Sequence, residues 1–323
     1  MANTDFPLDV LRSYAPRVHE PDDFDEFWTT TIAESRQRDS GHTLAPAETP
    51  ITGIRIDDLT FSGYNGEAIK AWVMRPANSD GPLPTIIEFQ GYNGGRGLAG
   101  EKLQWAASGY AHVFMDTRGQ GSGWGGGGET PDPHGSGPAV AGFMTRGIQH
   151  PNDYYYRRVF TDAVRLVDLV QTLEFVNPSR IALAGGSQGG GIAIAAAALS
   201  QNVAAVMPDV PFLSHFQRAI EATPEEPFTE ITRYLAVHRE RVEATLATLS
   251  YFDGVNFAKR ISSPAYFSVA LMDGIVLPST VFASYNHLQS DDKAIEVYAY
   301  NGHEAGQFLQ WTRQAKWLQA RFT

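Results

Sequence analysis

Arg180-Ile181-Ala182-Leu183-Ala184-Gly185-Gly186-Ser187-Gln188-Gly189-Gly190-Gly191 carries the strongest fold signal in the chain. An apolar, strand-like run breaks into glycines around one serine and continues as Ile192-Ala193-Ile194-Ala195-Ala196-Ala197-Ala198-Leu199, an alanine-rich helical stretch. Gly185 and Gly189 flank Ser187 in the pattern G-x-S-x-G, and a serine at the apex of a tight strand-to-helix turn needs neighbours without a Cβ. Such a turn lifts Oγ clear of the sheet. It also leaves the backbone N–H of Gln188 unpaired at a helix start, where the helix dipole favours a developing negative charge. Small residues equally permit close helix–sheet packing, so the strand before the pentapeptide and the helix after it are what make it a nucleophile motif.

Working outward, Thr85-Ile86-Ile87-Glu88-Phe89-Gln90 predicts a strand that ends in Gly91-Tyr92-Asn93-Gly94-Gly95-Arg96-Gly97. A helix at about 100–108 and a second apolar run, Ala111-His112-Val113-Phe114-Met115-Asp116, complete a βαβ unit. The same rhythm predicts helix 158–176, strand 180–186, helix 189–200, strand 203–208, strand 265–272, helix 279–288, strand 294–300 and helix 307–321. With right-handed crossovers this is an α/β fold, a doubly wound, mostly parallel sheet with helices on both faces. Residues 22–36, with Phe24, Phe27, Trp28 and Ile32 at helical spacing, predict an N-terminal helical extension. Residues 51–61 and 68–74 around Asn65-Gly66 predict an antiparallel hairpin. Two stretches interrupt the rhythm: a glycine- and aromatic-rich loop at 119–157, and a cap-like helical insertion at 211–260. The expectation is a single domain over 1–323.

Composition removes several function classes. Twenty-five basic against thirty-six acidic side chains give a formal charge of −11, which argues against nucleic acid and against anionic membrane surfaces as partners. The chain has no cysteine, which excludes disulfides, cysteine metal sites and a thiol nucleophile. Residues 1–14 lack a basic segment followed by an apolar core, and no run is long enough for a membrane helix, so a soluble cytoplasmic enzyme is expected. Gly121-Ser122-Gly123-Trp124-Gly125-Gly126 satisfies G-x-G-x-x-G, but it runs into Glu129-Thr130-Pro131-Asp132-Pro133, which cannot open a helix; no dinucleotide site is expected. His303-Glu304 is not followed by a second histidine at metal-binding spacing, and no metal site is expected.

A serine nucleophile needs a general base, and imidazole is the group poised near neutral pH. In a strand–elbow–helix architecture the order is serine, acid, histidine, with acid and base on loops after later strands. His112 falls inside a predicted strand, His19 and His42 lie before the core sheet, and His134 and His150 precede the serine. His215, His238 and His287 fall in helical patterns; only His303 sits just past a strand. Asp273, at the end of the predicted strand 265–272, is the acid, with Asp209 a rival one strand too early. Tyr92, in the loop after strand 85–90, is placed to give the second oxyanion N–H beside Gln188.

Arg118-Gly119-Gln120, Gly185-Gly186-Ser187-Gln188-Gly189-Gly190 and His303-Glu304, in that order and in a chain of this length, resemble the acetyl xylan esterase / cephalosporin C deacetylase family of carbohydrate esterases. Gly142-Phe143-Met144-Thr145-Arg146-Gly147-Ile148 and Pro278-Ser279-Thr280-Val281-Phe282-Ala283 add to the likeness, which runs from the N-terminal helix to the last helix. The resemblance implies an α/β-hydrolase fold and release of acetate from small acetylated carbohydrates such as xylo-oligosaccharides, and from related esters such as cephalosporin C. It implies no cofactor, and a ring-like homohexamer whose sites face an internal chamber. Carried over residue by residue, Ser187, Asp273 and His303 match the triad, Tyr92 and Gln188 the oxyanion hole, and Phe212, Pro227 and Ile275 the acyl pocket. Arg118 can bind substrate or brace its glycine-rich loop by pairing with a carboxylate, and bracing is the expected role. The family commonly has a cysteine and a second proline in the loop after the acid, whereas this chain reads Asp273-Gly274-Ile275-Val276-Leu277-Pro278; the departure falls on the pocket wall. Two other readings stay open: a broader short-chain carboxylesterase or small peptidase on the same fold, and a non-catalytic hydrolase-like interaction protein.

Overall fold

The computed structural model describes residues 5–79, 81–135 and 137–322. The described residues form one nine-stranded sheet: β1 (His42–Pro46), β2 (Ile54–Ser62), β3 (Ala68–Pro76), β4 (Leu83–Phe89), β5 (Ala111–Met115), β6 (Val176–Gly186), β7 (Ala205–Asp209), β8 (Ala265–Ala270) and β9 (Lys293–Tyr298). Their order is β1-β2-β3-β5-β4-β6-β7-β8-β9. The first three pairings are antiparallel and all those from β5 to β9 are parallel. The chain builds leftward from β4 to β5 and then rightward from β6, so strand order reverses between β4 and β6. Ligands of open α/β sheets bind outside the carboxyl ends of the strands at such a reversal.

The helices are α1 (Leu8–Arg12), α2 (Phe24–Gln37), α3 (Gln104–Ala107), α4 (Tyr155–Val170), α5 (Gln188–Leu199), α6 (Phe216–Ala222), α7 (Thr229–Val237), α8 (Val242–Ser250), α9 (Gly254–Ala258), α10 (Pro278–Asn286) and α11 (Gln307–Phe322). Side chains of a strand alternate between faces, and β6 divides the core accordingly. Ile181 and Leu183 join the larger cluster with residues of α4 and α5, while Ala182 and Ala184 join Trp105, Leu318 and Phe322 on the other face. α5 runs through the larger cluster and is buried on every side from Gln188 to Ala197, which is why its sequence is apolar all round.

Several expectations meet their physical limits here. The 100–108 helix shrinks to the single turn of α3, and the predicted 158–176 helix runs three residues earlier at its start and ends at Val170. The edge strand β1 was not expected: it is mostly exposed and ends in Pro46, so it carries no apolar alternation. The β2–β3 hairpin turns at Asn65 and Gly66, both at positive φ. Residues 211–260 contain α6, α7, α8 and α9 and no strand. No described helix is long and apolar enough to cross a membrane.

The long loop ahead of α4 is braced from below by Arg118, which is fully buried. Its guanidinium donates to both carboxylate oxygens of Asp162 at 2.6 and 2.8 Å, and to Glu67 at 2.5 Å. Gly119, at φ 70°, donates its N–H to Thr130 O at 2.7 Å and starts the loop's turn. Arg118→Ala leaves buried carboxylates without their cation, and urea unfolding is expected to register a loss of about 3–5 kcal/mol. KM of the enzyme that remains folded is expected to hold; an unchanged unfolding midpoint with a raised KM would assign Arg118 to substrate instead.

Candidate active site

Ser187 sits between β6 and α5 at φ 54° and ψ −119°. A non-glycine residue in this region is strained by about 1–3 kcal/mol and needs its surroundings to hold it there. Those surroundings are the neighbouring backbones. The Ser187 N–H donates to Asp209 O at 2.9 Å, and its carbonyl accepts from Phe212 N at 2.9 Å and Gly191 N at 3.1 Å. A Cβ on Gly189 would lie 2.1 Å from Phe89 O, and one on Gly185 would lie 2.4 Å from the carbonyl carbon of Gly189. The two motif glycines are therefore required by close approach of strand and helix.

The loops after β8 and β9 bring two more groups to this point. His303 Nε2 lies 3.0 Å from Ser187 Oγ, and His303 Nδ1 lies 2.8 Å from Asp273 Oδ2. An ionised carboxylate can only accept, so Nδ1 carries the proton and Nε2 is the free acceptor facing the serine. Asp273 is fully buried, and its Oδ1 accepts from the N–H groups of Ile275 and Val276, each at 2.9 Å. The rival acid, Asp209, is not on His303. It accepts from Ser268 Oγ at 2.8 Å and Gln314 Nε2 at 2.9 Å, and burial pushes it up to about 7.

The loop after β4 closes the other side. Among the described residues, neither the Tyr92 nor the Gln188 backbone N–H has a protein acceptor. The flanking peptide groups are pinned: Tyr92 O accepts from Trp124 Nε1 at 2.7 Å, and Asn93 N donates to Gln120 Oε1 at 2.7 Å. Gln120 and Gln188 exchange side-chain amide hydrogen bonds at 2.8 and 3.1 Å, and Tyr156 OH donates to Gln188 Oε1 at 2.9 Å. The Gln120 side chain thus joins the loop after β4 to the elbow, a role that its place beside Arg118 and Gly119 did not disclose.

A pocket of about 590 Å³ opens over Ser187 and His303, lined by Tyr92, Pro227, Ile275, Trp124 and Glu230 among others. Phe212 does not line it. Its N–H is drawn to the Ser187 carbonyl, and its fully buried ring packs beneath Tyr92 and against Phe228, at centroid distances of 6.3 and 4.4 Å. Trp124 and Glu230 were not foreseen, because each reaches Tyr92 from a distant segment. Glu230, on α7, accepts from Tyr92 OH at 2.6 Å and Met144 N at 3.0 Å, while Tyr92 OH accepts from Phe143 N at 2.6 Å. Burial raises both groups above their ordinary values. Ala141 and Gly142 of the long loop also line the pocket. Among the described residues no cluster of histidine and carboxylate side chains could hold a metal ion.

A mostly parallel sheet of this order, with a histidine bridging an elbow serine and a buried aspartate at the strand carboxyl ends, defines an α/β hydrolase. More narrowly, the chain belongs to the acetyl xylan esterase (AXE1) family, which matches residues 1–321, and so to a family of carboxylic ester hydrolases. It is 37% identical to the acetyl xylan esterase from Paenibacillus sp. R4, with a TM-score of 0.92 over 98% of this chain and 99% of that one. It is 34% identical to acetyl xylan esterase 1 from Thermoanaerobacterium sp. JW/SL YS485, with a TM-score of 0.89 over 97% and 99%. The acetyl esterase Axe7A of Xylanibacter ruminicola is 22% identical over 97% of this chain and 69% of its own length.

Two outcomes follow from the buried carboxyls. Asp209 is up to about 7 when folded and about 3.9 when unfolded. Between those values only the folded state holds the proton, so the group's contribution to stability is full below about pH 4 and is lost as pH rises through 7. Asp209→Asn is expected to shrink the fall in unfolding free energy between pH 5 and pH 8 by about 2 kcal/mol; an unchanged fall would contradict the assigned environment. Glu230→Ala frees the Tyr92 loop and is expected to lower kcat about 10- to 100-fold with a smaller effect on KM. Glu230→Gln should restore part of kcat, and a change confined to KM would remove Glu230 from loop positioning.

Proposed function

We propose that the protein removes acetyl groups from small acetylated carbohydrates such as xylo-oligosaccharides, and from related acetate esters such as cephalosporin C, through an acetyl-enzyme. The observation that carries this reading is the bridge of His303 between Ser187, at 3.0 Å, and Asp273, at 2.8 Å. His303 Nε2 takes the Ser187 hydroxyl proton as Oγ attacks the acetyl carbonyl. The N–H groups of Tyr92 and Gln188 receive the oxyanion, and Asp273 keeps His303 in the required tautomer and stabilises its charged form. The imidazolium then protonates the departing sugar oxygen. Water, deprotonated by the same nitrogen, attacks the acetyl-enzyme and releases acetate.

Ser187→Ala is expected to lower kcat by about 10⁴-fold or more with an unchanged thermal transition. Near wild-type hydrolysis by this variant would sink the scheme. The broader carboxylesterase reading is separated by chain length: a deacetylase should cleave p-nitrophenyl acetate faster than the butyrate and longer esters. Equal kcat/KM across the series would favour the broader activity.

A further inference from the structure

A second cavity, of about 320 Å³, opens on the other side of Ser187. It shares Gly91, Trp124, Ser187 and His303 with the pocket that Tyr92, Pro227 and Ile275 line. The remainder of its wall mixes apolar groups, Phe89, Val210 and Ala305 among them, with the polar side chains of Glu88, Lys102, Asp209, Glu304 and Gln310. Nucleophile and base therefore stand at the junction of two compartments, of which this smaller one has the larger share of polar lining. An ester also has two halves. The compartment beside Tyr92, Pro227 and Ile275 takes the acyl half, and the second is walled by the segment that follows His303, the residue that must protonate the leaving oxygen.

Gln310 marks this wall as more than a solvated surface. It is only 1% exposed, and its Oε1 accepts from Tyr298 OH at 2.8 Å. Its Nε2 lies near Asp209 without completing a hydrogen bond, and it has no other acceptor among the described residues. A buried donor left without a partner costs about 1–3 kcal/mol, a cost removed when a ligand oxygen meets it. Asp209 is partly open to the cavity, and each of its oxygens keeps a lone pair beyond the bonds from Ser268 and Gln314. Despite its burial, Glu88 is held well below the usual carboxylate range by Lys102 and His112, so the one lysine of the wall is already engaged. With Glu304 beside them, these groups disfavour an anionic occupant.

We propose that this second cavity is the leaving-group subsite and takes a neutral, polyhydroxylated alcohol, a pyranose ring whose hydroxyls donate to Asp209 and accept from Gln310 Nε2. Trp124, half exposed and tied through Nε1 to Tyr92 O at 2.7 Å, stands in the wall that the two compartments share. The subsite rests on the deacetylase reading given above.

The test compares kcat/KM for acetylated xylobiose with that for p-nitrophenyl acetate, whose aromatic leaving group makes none of these hydrogen bonds. Gln310→Leu is expected to lower the ratio of the two about tenfold, as loss of a hydrogen-bonded substrate hydroxyl does. Glu304→Gln alters the exposed rim without touching the core and is expected to raise kcat/KM for an acetylated aldobiouronic acid relative to acetylated xylobiose. Ratios unchanged in both variants would overturn the subsite. Calorimetry of free xylobiose with the Ser187→Ala protein reads binding without turnover: saturable binding weakened by Gln310→Leu supports the subsite, and its absence overturns it. Failure of the deacetylase reading looks different, since wild-type protein would then release no acetate from acetylated xylobiose, whatever its rate on p-nitrophenyl acetate.

Discussion

At Ser187 the chain reverses from strand to helix in a conformation that a side chain resists, with φ at 54° and ψ at −119°. The neighbouring strands hold it there. β4 presses the Phe89 carbonyl against Gly189, and the end of β7 takes the Ser187 N–H on Asp209 O. Because β4 and β7 flank β6 in a parallel array, their carboxyl ends arrive at the same edge as the elbow. The loops that leave β4, β8 and β9 then bring Tyr92, Asp273 and His303 to one point. The geometry of the site is thus a consequence of sheet order, and the strain at one residue is stable only within it.

Electrostatics complete the arrangement. Asp273 is removed from water yet receives two backbone N–H groups besides His303, which offsets the cost of burying its charge. Between Tyr92 and the elbow the same problem is solved with neutral groups: the paired amides of Gln120 and Gln188 satisfy one another and fix the loop after β4 to the elbow. Arg118 holds the base of the long loop, and Glu230 reaches from the cap to Tyr92. Chain segments far apart in sequence are locked to the site by hydrogen bonds whose loss would leave buried groups unpaired.

Legibility in the sequence followed the range of the interactions. The βαβ rhythm, the Asn65-Gly66 turn and the elbow are set by residues near one another, and each could be read from composition and spacing. Ser187, His303 and Asp273 were placed by their order on successive strands, and the structure brings all three together. Phe212 came from the family resemblance and not from spacing; in the fold its ring is fully buried and packs on Tyr92 outside the residues that line the pocket. Trp124 and Glu230 were invisible for a related reason: their partner is Tyr92, and no periodicity connects residues 32 and 138 positions apart. The edge strand β1 was hidden because an exposed strand needs no apolar alternation.

On the proposed mechanism Ser187 Oγ, activated by His303 in the geometry described, receives the acyl group as a covalent intermediate. A serine-directed phosphonate, followed by peptide mapping of the labelled protein by mass spectrometry, tests it most directly. One phosphonyl group per chain is expected, on the peptide containing Ser187, with loss of esterase activity in proportion to labelling. Full labelling elsewhere, or complete inactivation with Ser187 unmodified, would contradict it.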